Sequence, residues 1–420
     1  MPRRVIILGA AGRDFHNFNV VYRDDPSFHV VAFTATQIPG IEGRRYPPSL
    51  AGHLYPRGIP IESESELPRL IRERGADLCV FSYSDVAYAD VMHLASLCVA
   101  AGADFMLLGA DRTMLRAEVP VIAVTAVRTG AGKSQTTRYI SSLIKRGGAR
   151  AVVVRHPMPY GNLAAQQCQR FKRYEDLERA HCTIEEREEY EQHLDNGFVV
   201  YAGIDYERIL GGAQTEADVI LWDGGNNDLP FYEPDLHICV ADPHRAGHET
   251  GYWPGEANFR RADLILINKC DSAKEADIRL IEENAKRLNP EARVVRAESP
   301  VTLDEPELVR GKRALVIEDG PTLTHGGMKY GAGVIGAKAA GAEIVQTIPA
   351  MGYSDAQVRE LEEMIRASDA EVVLIGTPVD LRRIVKLDKP AVRVRYDLRV
   401  LEPEVLEEMV SRVIEREPAT

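Results

Sequence analysis

A multidomain α/β protein is what this chain predicts, and three observations carry that expectation. Short runs of β-branched and apolar residues alternate with helix-length stretches along all 420 residues, as in parallel sheets covered by helices. One glycine-bearing loop, Val127-Arg-Thr-Gly-Ala-Gly-Lys-Ser134, lies between such a run and a helical stretch. Polar residues then recur where later runs end, at Arg155, Asp223, Asp242 and Asn268, and strand ends are where open parallel sheets bind ligands.

Residues 1–117 read as a Rossmann-like domain, with strand-like runs at 5–8, 30–33, 78–81 and 105–108. Gly9-Ala-Ala-Gly12 makes a tight first turn but lacks the G-x-G-x-x-G spacing. The second run ends in Phe33-Thr-Ala-Thr36 without an acid for a ribose, so a dinucleotide site is not expected. Arg13-Asp-Phe-His-Asn17 suits either a ligand-facing cluster or a solvated loop, with Arg13 a candidate substrate contact. The proline-rich stretch 45–60 is expected to be a loop acting as a lid or interface.

Residues 118–300 read as a P-loop NTPase domain. Gly130 and Gly132 allow backbone N–H groups to face phosphate oxygens, with Thr129, Ala131 and Gln135 completing the cradle. Lys133 would reach the β/γ-phosphates and Ser134 would ligate Mg²⁺. Val127 occupies the first glycine position of G-x-x-x-x-G-K-[ST]. The better template is K-G-G-x-G-K-[ST], the deviant Walker A loop of the dimeric nucleotide-switch class, with Arg128 in the place of the signature lysine.

Arg155 and His156 end the next run and are expected to bind a ligand, while the acids of 183–189 read as a solvated helix face behind a Thr183 cap. Asp223 ends an apolar run and suits Mg²⁺ or its waters, with Asp228 a weaker choice. His244, Arg245, His248 and Glu249 crowd one loop, which suits polyanion recognition and proton handling. Zinc held by the two histidines and Glu249 is the alternative. Asn268-Lys-Cys-Asp271 has the N-K-x-D form that reads guanine in many GTPases.

Residues 301–420 read as a small C-terminal α/β domain. Its first strand feeds a Gly/Thr-rich loop, in which His325 and Lys329 would supply charge to a wrapped anion unless the loop is only a linker.

A net charge of −12 argues against a nucleic-acid or anionic-membrane surface. Six cysteines without C-x-x-C or zinc-ligand spacing, and no signal segment, lead to the expectation of a cytoplasmic protein with reduced thiols.

Taken in order, Arg-Thr-Gly-Ala-Gly-Lys-Ser, Arg-His-Pro-Met-Pro-Tyr-Gly, Trp-Asp-Gly-Gly-Asn-Asn-Asp, Asp-Pro-His-Arg-Ala-Gly-His-Glu, Asn-Lys-Cys-Asp and Glu-Asp-Gly-Pro-Thr-Leu-Thr-His-Gly-Gly resemble the cyclic 2,3-diphosphoglycerate synthetase family, also described as predicted GTPases. The resemblance covers essentially the whole chain. It implies ATP- and Mg²⁺-dependent closure of 2,3-diphosphoglycerate into an intramolecular pyrophosphate, with release of ADP and phosphate, in a homodimer. Lys133 and Arg128 would then serve the transferring phosphate, and Ser134 and Asp223 the Mg²⁺. His325 joins the catalytic set. Arg13, Arg155, His156, His244, Arg245, His248 and Lys329 would hold a small anionic phosphorylated substrate. Asn268, Lys269 and Asp271 leave the nucleotide open between ATP and GTP, with K⁺ a candidate further cation. The alternatives are a GTPase switch or metallochaperone, or a ligase for another anionic acceptor.

Overall fold

The structure is a computed structural model describing residues 1–36, 41–156, 161–225, 227–319, 331–350, 355–377 and 380–415. Its first sheet has six strands in the order Arg45–Tyr46, Ile59–Ser63, Phe28–Ala35, Arg3–Leu8, Leu78–Phe81 and Asp104–Leu107. All pair in parallel except the outer Arg45–Tyr46. The segment expected as a proline-rich loop therefore supplies a strand pair and a short helix, Pro48–Ala51. Tyr46, Leu50, Tyr55 and Ile59 make it part of a hydrophobic core, which is why proline did not leave it outside.

Nine strands form the second sheet: Gln169–Phe171, Val199–Ala202, Ala151–Arg155, Val219–Asp223, Val121–Ala126, Leu236–Ala241, Leu264–Ile267, Arg293–Glu298 and Arg399–Val400. The seven inner strands run parallel and the two outermost are antiparallel. Val121–Ala126, Val219–Asp223, Leu236–Ala241 and Leu264–Ile267 are buried throughout, which accounts for their largely apolar sequences. Because they are parallel, their carboxyl ends open on one edge of the sheet. That edge carries the phosphate loop, Arg155, Asp223, Asp242 and Asn268.

The third sheet orders Val301–Leu303, Ala391–Tyr396, Val372–Gly376, Arg313–Asp319 and Glu343–Ala350. The last strand and helix leave it, so the expected 301–420 unit loses its C-terminal end. Arg399–Val400 joins the second sheet, and Pro403–Ile414 lays Leu406, Val410 and Val413 into that sheet's core beside Ile140 and Leu143. The apolar stripe of this helix had two α/β units available, and it covers the larger sheet.

A two-stranded ribbon, Val86–Ala87 against Tyr252–Trp253, ties the first unit to the second. Among the described residues no helix is long and apolar enough to cross a membrane.

Candidate active site

The phosphate loop is built as a set of outward carbonyls. Arg245 Nη1 donates to Thr129 O at 2.8 Å, Lys269 Nζ to Gly130 O at 2.7 Å, and Asn268 Nδ2 to Ala131 O at 3.0 Å. Three successive carbonyls are held from outside and the Ala131 N–H is turned to Arg128 O at 3.2 Å, which leaves the Gly130 and Gly132 N–H groups for the inner wall, where such groups bind phosphate. Gly130 and Gly132 have φ of 78° and 112°, a region that penalises side chains. At Gly132 a Cβ would also fall 2.0 Å from Asn268 Nδ2. Helix Lys133–Arg146 starts directly after this loop, adding the positive end of its dipole.

Lys133 Nζ lies 2.5 Å from Asp223 Oδ1. The other carboxylate oxygen faces Arg155 Nη1 at 2.6 Å and His193 Nε2 at 3.1 Å. Register explains the first pair, since Arg155 and Asp223 are partners across adjacent parallel strands. Arg155 also pairs with Glu189. Asp223 and His193 are completely buried. Burial alone would raise the Asp223 carboxyl, but Arg155, Lys133 and His193 overcome it and hold it well below the usual carboxylate range. Burial brings the Lys133 ammonium down to about 8, with Asp223 opposing the shift and Arg155 adding to it. Burial also lowers the His193 imidazole. Its Nδ1 has no partner, so Nε2 carries the proton and donates to Asp223.

These residues fit a magnesium nucleoside triphosphate. The loop offers backbone donors and Lys133 an amine beside Asp223, while Ser134 and Asp223 are the oxygen donors that would hold Mg²⁺. The metal would supply charge neutralisation at the transferring phosphate.

Other expected residues are placed differently. Arg128 turns from the loop: Nε donates to Asp85 Oδ1 at 2.5 Å, Nη1 lies 2.7 Å from His248 Nδ1, and the guanidinium stacks 3.6 Å from the Tyr252 ring centroid. Arg245 supports the loop and pairs with Asp242 at 2.9 Å, while His244 meets Ser272 Oγ at 2.9 Å. Lys269 shares Asp242 at 2.8 Å, and Asp271 accepts from the Ser299 backbone N–H at 3.0 Å. Glu249 is buried, accepting from Gly247 N and Asn284 Nδ2. Among the described residues no cluster of three or more His, Cys, Asp or Glu is arranged to hold a metal, so the zinc alternative has no site there. His325 and Lys329 lie outside the described residues.

Arg13 and its neighbours form neither a loop nor a solvated surface, since helix Arg13–Asn17 is buried throughout. From the second unit His156 reaches Gly12 at the start of this helix, and its Nε2 stands 3.4 Å from Asp228 Oδ2. It is wedged between two glycines: a Cβ on Gly12 would lie 2.2 Å from its Nε2, and one on Gly225 2.8 Å from its own Cβ. With no room to retreat, His156 makes Gly12→Ala costly. The expected loss is about 1–3 kcal/mol, as for other overpacked sites, read as a lower midpoint in denaturant. An unchanged midpoint would mean that the two units do not meet at His156 in solution.

The sequence reading missed His193, Glu189 and Asp85. Helix Ile184–Asp195 begins with the expected Thr183 cap, which accepts from Glu186 N at 3.2 Å. Its acids are not a solvated face, because Glu186, Glu188 and Glu191 are buried. Tyr190 and Leu194 mark the inward stripe, and His193 falls on it.

Together the fold and site define an enzyme of the P-loop nucleotide-binding class, built as a multidomain α/β protein. No family model matches the chain. It is 58% identical over 430 aligned residues to arginine synthetase ArcE of Thermococcus kodakarensis, covering 97% of this chain and 96% of that protein. The chain belongs to the family of that synthetase. Among solved structures, LpxK from Aquifex aeolicus in complex with ATP aligns with a TM-score of 0.49 at 14% identity, over 73% of this chain and 92% of that one. A UDP-N-acetylmuramate:L-alanyl-gamma-D-glutamyl-meso-diaminopimelate ligase from Neisseria aligns with a TM-score of 0.29 at 11% identity, over 71% and 81%.

Proposed function

We propose that this chain is an ATP- and Mg²⁺-dependent synthetase that activates an oxygen of a small substrate by phosphoryl transfer and forms arginine. The observation that carries this reading is the joining of a braced phosphate loop to the buried Lys133–Asp223–Arg155–His193 cluster, in a chain 58% identical to an arginine synthetase. A guanidinium differs from a ureido group by nitrogen in place of oxygen. Transfer of the γ-phosphoryl group to the ureido oxygen of citrulline makes that oxygen a leaving group. Ammonia then forms the new C–N bond, the C–O bond breaks, and phosphate departs, giving arginine, ADP and phosphate. In this reading Lys133 holds the transferred group, and the loop's N–H groups hold the rest of the phosphate chain.

The motif order supports a second reading with the same activation step, closure of 2,3-diphosphoglycerate to its cyclic pyrophosphate. Two phosphates and a carboxylate would call for several available cations. Arg155 and Arg245 are each engaged within the protein, and the acids Asp14 and Asp228 stand beside Arg13. This balance favours the zwitterionic substrate.

Phosphorus NMR with parallel amino-acid analysis separates the readings, with ATP and with GTP in separate runs. Citrulline, ammonium and Mg²⁺ are expected to give arginine and phosphate in equal amounts. A cyclic pyrophosphate resonance with 2,3-diphosphoglycerate would replace the first reading by the second. Hydrolysis unaffected by either substrate would leave a GTPase switch, or a ligase for another anionic acceptor, as the working account.

A further inference from the structure

Where the first unit meets the second there is a cavity of about 20 Å³, room for a water-sized group, and Arg13, Asn17, Ser82, Tyr83, Asp228 and Trp253 are among its lining residues. It lies at the carboxyl ends of the first sheet's strands Arg3–Leu8 and Leu78–Phe81, where such sheets take ligands. Neither the phosphate loop nor the Asp223 cluster uses it.

Its walls carry unfilled hydrogen-bonding capacity. Asn17 is 2% exposed, and its Oδ1 has no partner. In the structure Nδ2 donates to Ser82 Oγ at 2.9 Å, and that hydroxyl is directed to Val80 O at 3.4 Å. A buried acceptor left in this state is costly unless something donates to it. Asp228 is 4% exposed. Unlike Asp223 it is not enclosed by cations: Ser84 donates to it, His156 stands 3.4 Å away and Arg13 acts on it by charge. Burial, offset in part by Arg13 and Ser84, pushes its carboxyl up to about 7, so a donor cation would favour its ionised form. Arg13 spends one donor on Leu229 O at 3.1 Å and one on Thr113 Oγ1 at 2.7 Å, out of the five a guanidinium carries.

We propose that this cavity takes the α-ammonium group of the amino-acid substrate, with Asn17 Oδ1 and the Asp228 carboxylate accepting its hydrogen bonds and Arg13, on the same wall, facing the α-carboxylate. The assignment rests on the reading of the chain as an arginine-forming synthetase. It places the reacting end of the side chain toward Lys133, which lies within the electrostatic reach of Asp228.

Calorimetry on the full-length protein tests it, with L-arginine, L-norvaline, agmatine and ammonium chloride as probes. Asp228→Asn keeps the shape and removes the charge, and Asn17→Leu removes the acceptor. Each is expected to weaken L-arginine and L-norvaline at least about tenfold, the scale of a charge-assisted hydrogen bond, with ATP affinity unchanged as proof of folding. Agmatine, which lacks the carboxylate, should bind weakly to every form. If both variants bind ATP and L-arginine as the parent does, the subsite is wrong while the function stands. Norvaline binding that depends on Asp228, in a protein that makes no arginine, keeps the subsite and removes the function. Weakening of ammonium alone would make the cavity an ammonia site and overturn the proposal, as would a parent protein that binds none of the amino acids.

Discussion

Lys133→Met is expected to lower kcat by roughly 10²–10³-fold, the loss seen when a donor to developing transition-state charge is removed, with little change in folding. The asymmetry follows from the packing. Methionine retains an unbranched apolar stem, so the space that the lysine stem occupies stays filled. Asp223 keeps Arg155 at 2.6 Å and His193 at 3.1 Å, so its carboxylate is not stranded when the ammonium goes. What disappears is the ammonium group that begins the helix after the loop. Single-turnover kinetics with saturating nucleotide, alongside a denaturation curve, would show this split. A rate within a few-fold of the parent would mean that phosphoryl transfer takes place elsewhere.

How much of this was readable beforehand depends on the range of the interaction that places each residue. The phosphate loop and the acid at Asp223 were legible because both are local: a glycine spacing, and an apolar run ended by a carboxylate. Arg155 was also visible as a polar strand end, but its role was not. Only the parallel register opposite Asp223 turns an apparent substrate arginine into a partner of that buried acid. His193 could not be recognised within a charged helix, since its function comes from a contact thirty positions away. The solvated-loop reading of residues 13–17 failed for a similar reason. Arg13-Asp-Phe-His-Asn17 is polar in sequence, yet Asp14 takes backbone N–H groups from Ala11, Gly12 and Phe15, and His16 stacks on Phe231 at 4.1 Å. Internal satisfaction of this kind lets a polar pentapeptide be buried, and composition cannot reveal it. Arg128 shows the converse: its loop position matches the signature cation, but Asp85, from a distant turn with φ of 63°, claims it.

Asp223→Ala is expected to cost about 3–5 kcal/mol of stability, the range for breaking a buried ion pair by removing one partner, and to abolish turnover as well. Three groups lose their acceptor together: Lys133, Arg155 and the Nε2–H of His193. Arg155 keeps Glu189, which limits the damage on that side. Lys133 has no such reserve, so its amine is expected to lose its proton more readily. The pH dependence has a definite sign. Because the folded carboxyl lies well below the usual range, its contribution is complete above the unfolded value near 4 and is lost as pH falls toward the folded one. The gap in stability between parent and variant should therefore be full at pH 7 and shrink only in acid, below about pH 4. Denaturation at a series of pH values would measure it. A gap that instead widened on acidification would show that Asp223 is protonated in the folded protein, and that the cations around it are neutralised by some other group.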